Sequence, residues 1–481
     1  MKTYFNTKPF ETRLRYLVAG VLPAFFCLLV VSSCFGQYVQ VDSIYILGNK
    51  RTKDRVVLRE LDFRQGDSLL FADLTSRMER NELLLLNTRL FNDAKLNIIN
   101  IREDKIDVRV ELREAWYIYP LLIFELADRN FNVWWVEQNR ALDRINFGVR
   151  FYYENFTGRN DRLKVVTQFG YTQKYELEYR LPWFNKGQSL GMSFNGLHTR
   201  NREVAYQTND TTNRQDFLRL DDQIGLKRGR AGFKMIYRPK LLGTHEWGMS
   251  YHHNIIADTI TQLNPTFFLD NRVKQQFLSL EYSFTLDRRD RRSYALSGNY
   301  FQVHLKKDGL GLFGVVNNLS LTGSFGQYWR AGKKFSFEVL ARGRKNLITD
   351  RQPYYTQRRA LGFSENFVRG YEFYVIDGQD FTYLKTGIRF ELIHKDLNGS
   401  KVIPLKAMKI IPFRVYLKLN NDLGYVNDPF STAIEPLSNS ILWGGGLGLD
   451  MVLYHNFVFQ LEYSINRLNE KGVYLHFNVP F

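Results

Sequence analysis

The sequence predicts a membrane all-β protein: a 16-stranded antiparallel transmembrane β-barrel preceded by one small α+β domain. Three observations point there. From Trp116 onward, helix signals vanish and segments of about 10–15 residues alternate apolar and polar side chains, the period that puts each set on one face of a strand. Aromatic residues are 15% of the 481-residue chain, with 38 Phe and 28 Tyr, and they enrich the apolar faces of those segments. The N-terminus reads as an export signal.

That signal comprises Lys2, Lys8, Arg13 and Arg15, an apolar run from Tyr16 to Val31, then Ser32 and Ser33. The run is short and interrupted by Gly20 and Pro23, unlike a spanning helix of about 20 residues. Two cleavage readings stand. Residues 1–36 form an ordinary signal peptide cut at Gly36–Gln37, or Val31-Ser32-Ser33-Cys34 is a lipobox with Cys34 as the lipid attachment site. Cys27 falls in the discarded segment, so the mature chain has at most one thiol and no internal disulfide.

Composition sets the remaining bounds. A hydrophobic content of 44% excludes disorder, and two Cys with eight scattered His give a metal centre little to build on. No metal and no cofactor is expected. The net charge of +17 would suggest nucleic acid in a cytoplasmic protein. In an exported barrel it lines polar inward positions and loops, and no nucleic-acid partner is expected.

Residues 38–114 form the small domain. Gln40–Leu47 alternates and ends at the turn signal Gly48-Asn49, while Thr52–Leu61 and Ala72–Leu86 carry leucines and charges at helical spacing. Ala94–Ile101 and Lys105–Leu112 alternate again. The expected order is strand, helix, helix, strand, strand.

Residues 115–481 form the barrel. The clearest segment is the last, where Val473, Leu475, Phe477, Val479 and Phe481 share one face and Tyr474, His476 and Asn478 the other. Upstream, Phe457, Phe459, Leu461, Tyr463 and Ile465 alternate with Val458, Gln460, Glu462, Ser464 and Asn466. No complementary all-apolar strands supply a second layer, which argues against a soluble sandwich. In lipid every backbone polar group needs an internal partner, so such a sheet must close. Sixteen strands are expected, starting near Trp116, Asp143, Arg162, Tyr175, Gln188, Asp222, Glu246, Lys274, Tyr294, Val315, Phe335, Asp380, Pro412, Ile441, Phe457 and Gly472. Asp222–Pro239 is read as one long strand, because an even count returns both ends to the side of the small domain. Short connections then fall on the periplasmic side and long ones outside, with the long link Asn398–Ile411 as the exception.

Two stretches resemble a known family. Ile46-Leu47-Gly48-Asn49-Lys50-Arg51-Thr52, Gly66-Asp67, Thr88-Arg89-Leu90-Phe91 and Val108–Glu114 resemble a POTRA domain. Phe367-Val368-Arg369-Gly370-Tyr371, in the longest connection, resembles the loop-six motif of the BamA/TamA outer-membrane assembly factor superfamily, the bacterial surface antigens. Asn155-Phe156-Thr157-Gly158, Tyr179–Phe184, Asp287–Asp290 and the terminal Phe481 fall in matching contexts.

The resemblance implies an outer-membrane protein, with its POTRA domain in the periplasm, that inserts or translocates other proteins without nucleotide hydrolysis; it implies no enzyme. Loop six, with Val368, Arg369, Gly370 and Tyr371, is expected to fold into the barrel, where Arg369 pairs with Glu391 and Asp422. Phe477 and Phe481 are the implied C-terminal barrel signal. The implied partners are client polypeptides, outer-membrane lipids and accessory periplasmic proteins. The small domain would capture a client strand along the edge Ala94–Ile101, and the seam between the first and last strands would open laterally, with Pro120 and Pro480 each removing a ladder donor. The alternatives are a passive porin-like channel and a secretion translocator dedicated to a single client.

Three further motifs carry no chemistry. Gly187-Gln188-Ser189-Leu190-Gly191 matches a nucleophile elbow in letters but runs into an alternating strand. Gly309–Gly314 matches a dinucleotide fingerprint but joins two antiparallel strands. Gly444-Gly445-Gly446 is read as relief of crowding at a strand bend. The basic cluster Arg288-Arg289-Asp290-Arg291-Arg292 is read as a periplasmic turn, either solvated or attracted to anionic headgroups or a partner.

Overall fold

The computed structural model describes residues 38–127, 133–314, 316–348, 353–363, 366–398, 410–431, 437–454 and 457–478. Cys34, Pro480, Phe481 and most of the 398–411 link lie outside them. The described chain divides into two compact units. No helix among the described residues is long and apolar enough to cross a membrane.

The first elements are β1 (Tyr38–Leu47), α1 (Asp54–Glu60), β2 (Ser68–Leu70), α2 (Leu74–Leu86), β3 (Phe91–Arg102) and β4 (Lys105–Glu114). The four strands form a sheet in the order β2-β1-β4-β3. β1 pairs with β4 in parallel, Ile44 opposite Val108 and Ile46 opposite Val110. A parallel pair needs a long crossover, and the helical stretch supplies it. Val39, Val41, Ile106, Val108 and Val110 are buried. The three-residue β2, antiparallel to β1, was not expected; three residues are too few to register as an alternation. β3 is a terminal strand of this sheet, with its Leu96 N–H donating to Glu82 Oε1 (2.8 Å).

The larger unit continues with β5 (Ile118–Leu126), β6 (Ile145–Glu154), β7 (Arg162–Gly170), β8 (Thr172–Leu181) and β9 (Leu190–Asn201). A separate hairpin follows, β10 (Glu203–Asn209) and β11 (Arg214–Arg219). Then come β12 (Leu226–Tyr237), β13 (Gly243–Ile256), the short α3 (Asp258–Leu263), β14 (Lys274–Asp287), β15 (Gly298–Asp308), β16 (Asn318–Ala331) and β17 (Phe335–Asn346). Two small strands, β18 (Arg359–Leu361) and β19 (Ile376–Asp377), precede β20 (Asp380–Asn398), β21 (Ile410–Asn427), β22 (Ile441–Leu453), β23 (Phe457–Asn466) and β24 (Lys471–Asn478).

Sixteen of these, β5–β9, β12–β17 and β20–β24, form one sheet in which each strand neighbours the next of the set in chain order. Its ladders are antiparallel, as in β13–β14 and β21–β22. Each expected strand is present, and Asp222–Pro239 does contain the single strand β12. The hairpin β10–β11 inside the 201–220 connection, the β18–β19 pair and α3 were not anticipated. The expected link 398–411 is partly strand: β20 and β21 stay paired out to Asn398 opposite Ile410.

The sheet is polar on its buried face and apolar on its exposed one. Along β21, Leu417, Leu419, Leu423 and Tyr425 are exposed while Lys418, Asn420, Asp422 and Val426 are buried. β22 to β24 repeat this, exposing Trp443, Leu447, Leu461, Tyr463, Val473, Leu475 and Phe477 and burying Asp450, Glu462, Ser464 and Asn466. A soluble monomer rarely exposes a contiguous apolar patch beyond a few hundred Å². Here the exposed face runs across adjacent strands, as a lipid-facing surface does.

Two of the motifs set aside by sequence, and the basic cluster, lie in connections between strands. After Gly187 the chain enters β9 directly, with no helix. Gly309–Gly314 lies in the β15–β16 connection. The basic turn is partly compensated from within: Arg289 and Arg292 pair with Asp287 (2.8 and 3.2 Å), while Asp290 accepts the backbone N–H groups of Arg291, Leu296 and Ser297.

Candidate functional site

The long connection between β17 and β20 lies against the polar face of the sheet. Its two ends are clamped by the β18–β19 ladder, where Leu361 pairs with Ile376. Between them the chain makes two successive tight turns, Tyr371 N–H to Val368 C=O (3.1 Å) and Tyr374 N–H to Tyr371 C=O (3.0 Å). Val368 and Tyr371 are buried with Leu361, Ile376, Phe381, Val426 and Leu442, so the loop has an apolar footing. Gly370 has a φ of +84°, and a β-carbon there would press on Asn466 and Ile465 at 3.0–3.2 Å. Both conformation and space therefore require glycine. The Gly370 carbonyl accepts Asn466 Nδ2 (2.7 Å).

These contacts deliver Arg369 to the sheet. Its side chain is buried, and Nη1 donates to Asp422 Oδ1 at 2.7 Å while Nε donates to both carboxylate oxygens of Glu462 at 3.1 Å. Its backbone N–H also points to Asp422 Oδ2 (3.2 Å). Burial alone would weaken the guanidinium's hold on its proton. Glu462 and Asp422, with Glu338 beyond, outweigh that and keep its pKa above the ordinary value. A planar fork suits this task, because it donates in two directions at fixed angles.

One acidic assignment needs correction. Glu391 is not a partner of Arg369: its carboxylate accepts Tyr416 Oη (3.0 Å) and faces His394 Nδ1 (3.0 Å). The second partner is Glu462 on β23, with a side chain 1% exposed against 0% for Asp422. Register explains the substitution. Asp422 on β21 lies opposite Gly444 on β22, and Glu462 on β23 lies opposite Gly448 of the same strand. Arg369 therefore spans β22, whose inward side chains are missing at that level. The Gly444-Gly445-Gly446 reading is corrected at its first position: a β-carbon on Gly444 would collide with the Arg369 carbonyl, so that glycine serves the loop. At Gly446 it would meet the Tyr463 carbonyl of β23, a crowding between strands that glycine does relieve.

Arg369 is the outer member of a larger buried network that sequence reading missed. Lys418 Nζ lies 3.4 Å from Glu462, 3.6 Å from Asp450 and 3.7 Å from Glu338. Arg389 pairs with Glu338, and Tyr294 Oη donates to Asp450 (2.8 Å). A signal was available: Glu462, Lys418 and Asp450 sit at the polar parity of membrane-length strands, where charges are costly and so reserved for a purpose. On the other side of the loop, Phe367 stacks on His476 of β24 (5.0 Å between rings), whose Nε2 lies 3.6 Å from Glu372 and 3.5 Å from Glu462. Phe477 is exposed on the apolar face, edge-on to Phe459 at 5.5 Å.

Comparison with known proteins fits this geometry. The Omp85 superfamily domain matches residues 155–472. The outer membrane protein assembly factor BamA of Nitratidesulfovibrio vulgaris is 33% identical over 79 residues, 16% of this chain, and the match spans about a tenth (10%) of that relative's length. Among solved structures, CdiB from Escherichia coli superposes with a TM-score of 0.53 at 13% identity, covering 91% of this chain and 75% of its own. BamA from Haemophilus ducreyi lacking POTRA domains 1–3 gives 0.50 at 12% identity, covering 92% and 84%. At such identities these two report the fold alone. The domain match covers about two thirds of the chain, and the chain is an outer-membrane protein of the Omp85 superfamily.

Proposed function

We propose that this protein inserts or translocates other polypeptides at the outer membrane, with residues 38–114 acting as a periplasmic POTRA domain and the sixteen-stranded sheet closed into a barrel. The observation that carries the reading is Arg369, held by Asp422 and Glu462 on the polar face of the sheet. A loop ordered against the polar face by buried ion pairs narrows the bore, which weighs against a wide passive channel. Ordering that loop costs about 1–2 kcal/mol per residue, and charge-assisted hydrogen bonds offset part of it. Closure follows from the solvent, since an open edge in lipid leaves backbone groups unsatisfied at several kcal/mol each.

In this reading the client is first captured on β3 by strand addition, then handed to the seam between β5 and β24. Pro120 lies within β5, where it withholds one ladder donor. The assembly role in the name of the Nitratidesulfovibrio relative supports insertion, and no enzymatic step or cofactor is assigned. The test is depletion of the native protein with rescue by variants. Arg369→Ala should reach the membrane and fail to rescue, and a disulfide joining β5 to β24 should block rescue until reduced. Full rescue by both, together with large, steady single-channel currents, would establish the porin reading instead.

A further inference from the structure

A second site lies away from the arginine loop's motif. A cavity of about 260 Å³ opens among β9, the β10–β11 hairpin, the start of β12 and the β18 strand. Arg228 of β12 and Arg359 of β18 both line it, with Tyr171, Gln215, Phe217 and Glu203.

The charge on its walls is unbalanced. Glu203 is the acidic group of the lining, and it is already paired with Arg144, whose guanidinium lies over the rings of Tyr171 (4.8 Å) and Phe217 (4.9 Å). Among the described residues, the Arg228 guanidinium makes no hydrogen bond or ion pair. Arg359 lies over the Phe363 ring at 4.9 Å, and its buried Nε has no partner. Asp377 sits opposite Arg359 in the β18–β19 ladder and offsets part of its charge, a charge Arg358 draws on as well. Two guanidiniums thus face one half-open polar space whose lining carboxylate is already engaged. Like charges partly withdrawn from bulk water repel, and a cation there without a partner is costly.

We infer that this cavity is an anion site, taking a phosphate group between the forks of Arg228 and Arg359. A guanidinium matches phosphate oxygens with two parallel donors, and two forks can hold one group from both sides. The volume admits a phosphate with a few waters, given about 30 Å³ per water. The group arrives either as the free ion or as the head of a phospholipid, and the chemistry at the arginines is the same.

The full-length protein in neutral detergent tests this. Its thermal midpoint is measured with inorganic phosphate against chloride at equal ionic strength, and again with phosphatidylglycerol against phosphatidylcholine in the micelle. Wild type should be stabilised by phosphate, by phosphatidylglycerol, or by both, which separates free ion from headgroup. Arg228→Gln and Arg359→Gln should each weaken that binding by about tenfold or more, the loss of one bidentate pair. Arg228→Lys should retain part of it. Without the anion, Arg228→Gln should melt no lower than wild type, because it removes a repulsive charge and no contact. Equal response of wild type and both Gln variants, or no response to either phosphate source, overturns the site. A lower midpoint for Arg228→Gln without anion also overturns it, since the arginine would then have a protein partner.

Discussion

The carbonyl oxygen of Arg369 occupies the space in which a β-carbon on Gly444 would stand. The same row of β22 carries Gly446 and Gly448, opposite Asn420 and Lys418 on β21. A strand stripped of inward side chains at three successive positions is a trough. The loop backbone meets it at Gly444, and the acids on the strands either side, Asp422 and Glu462, reach the arginine across it.

Gly444→Ala should therefore unseat the loop without touching any charged group. Overpacking of this kind typically costs about 1–3 kcal/mol. Here the strain is relieved by lifting the loop rather than by distorting the ladder. The expected result is a folded sheet whose 362–375 segment is cut by added protease much faster than in wild type. Unchanged cleavage would mean that the trough tolerates a methyl group and that glycine is there for another reason.

The two carboxylates on Arg369 should behave differently from the one that sequence reading chose. Removing one member of a buried charged pair costs about 3–5 kcal/mol because the other is left uncompensated. Glu462→Gln should approach that loss, as should Asp422→Asn. Glu391→Gln leaves the arginine untouched and should stay within about 0.5–1 kcal/mol, the scale of one neutral hydrogen bond. Urea unfolding from detergent reads all three. Combining Arg369→Ala with Glu462→Gln should cost less than the sum of the singles.

Asp422 was legible because the family motif carries it as a residue, not because anything in its own strand singles it out. Glu391 and Glu462 look alike in sequence: each is a Glu in an alternating segment. Which of them meets Arg369 depends on how far β20 and β23 slide against β21 and β22, and register is a property of pairs of strands. The sixteen strands were readable because lipid on one side and polar contacts on the other impose period two over ten residues. The β10–β11 hairpin and the β18–β19 clamp were not, because both faces of a short hairpin in a connection meet mixed surroundings and the alternation is lost.

Lys418 should prove as sensitive as Arg369. It is buried among Glu462, Asp450 and Glu338, three acids that no other lysine approaches at these distances among the described residues. Lys418→Met fills the same volume and removes the charge, which leaves those acids facing one another. The expected loss is again about 3–5 kcal/mol. Lys418→Arg should recover part of it. A midpoint for Lys418→Met equal to wild type would show that Arg369 and Arg389 alone neutralise the cluster.

The grip of the loop should also depend on pH, through Glu372. Burial raises its carboxyl above the usual carboxylate range, and the neighbouring His476 only partly opposes this. A raised pKa in the folded state means that folding takes up a proton. Stability is therefore gained as pH falls through the folded value, and lost above it, where a buried charge must be carried. The groups facing Glu372 include His476 and Tyr474 on β24, Lys385 on β20 and Glu462 on β23, the last of which pushes in the same direction as burial. Other groups titrate over the same range, so the raw midpoint mixes several effects. The difference between wild type and Glu372→Gln isolates the one of interest. Relative to the Gln variant, wild type should gain stability as pH is lowered from 8 toward the carboxylate range, and His476→Gln should keep that trend because burial is its main cause. A wild-type midpoint that tracks Glu372→Gln at every pH would mean that the carboxylate stays hydrated and that the loop is held by Arg369 without help from its neighbour.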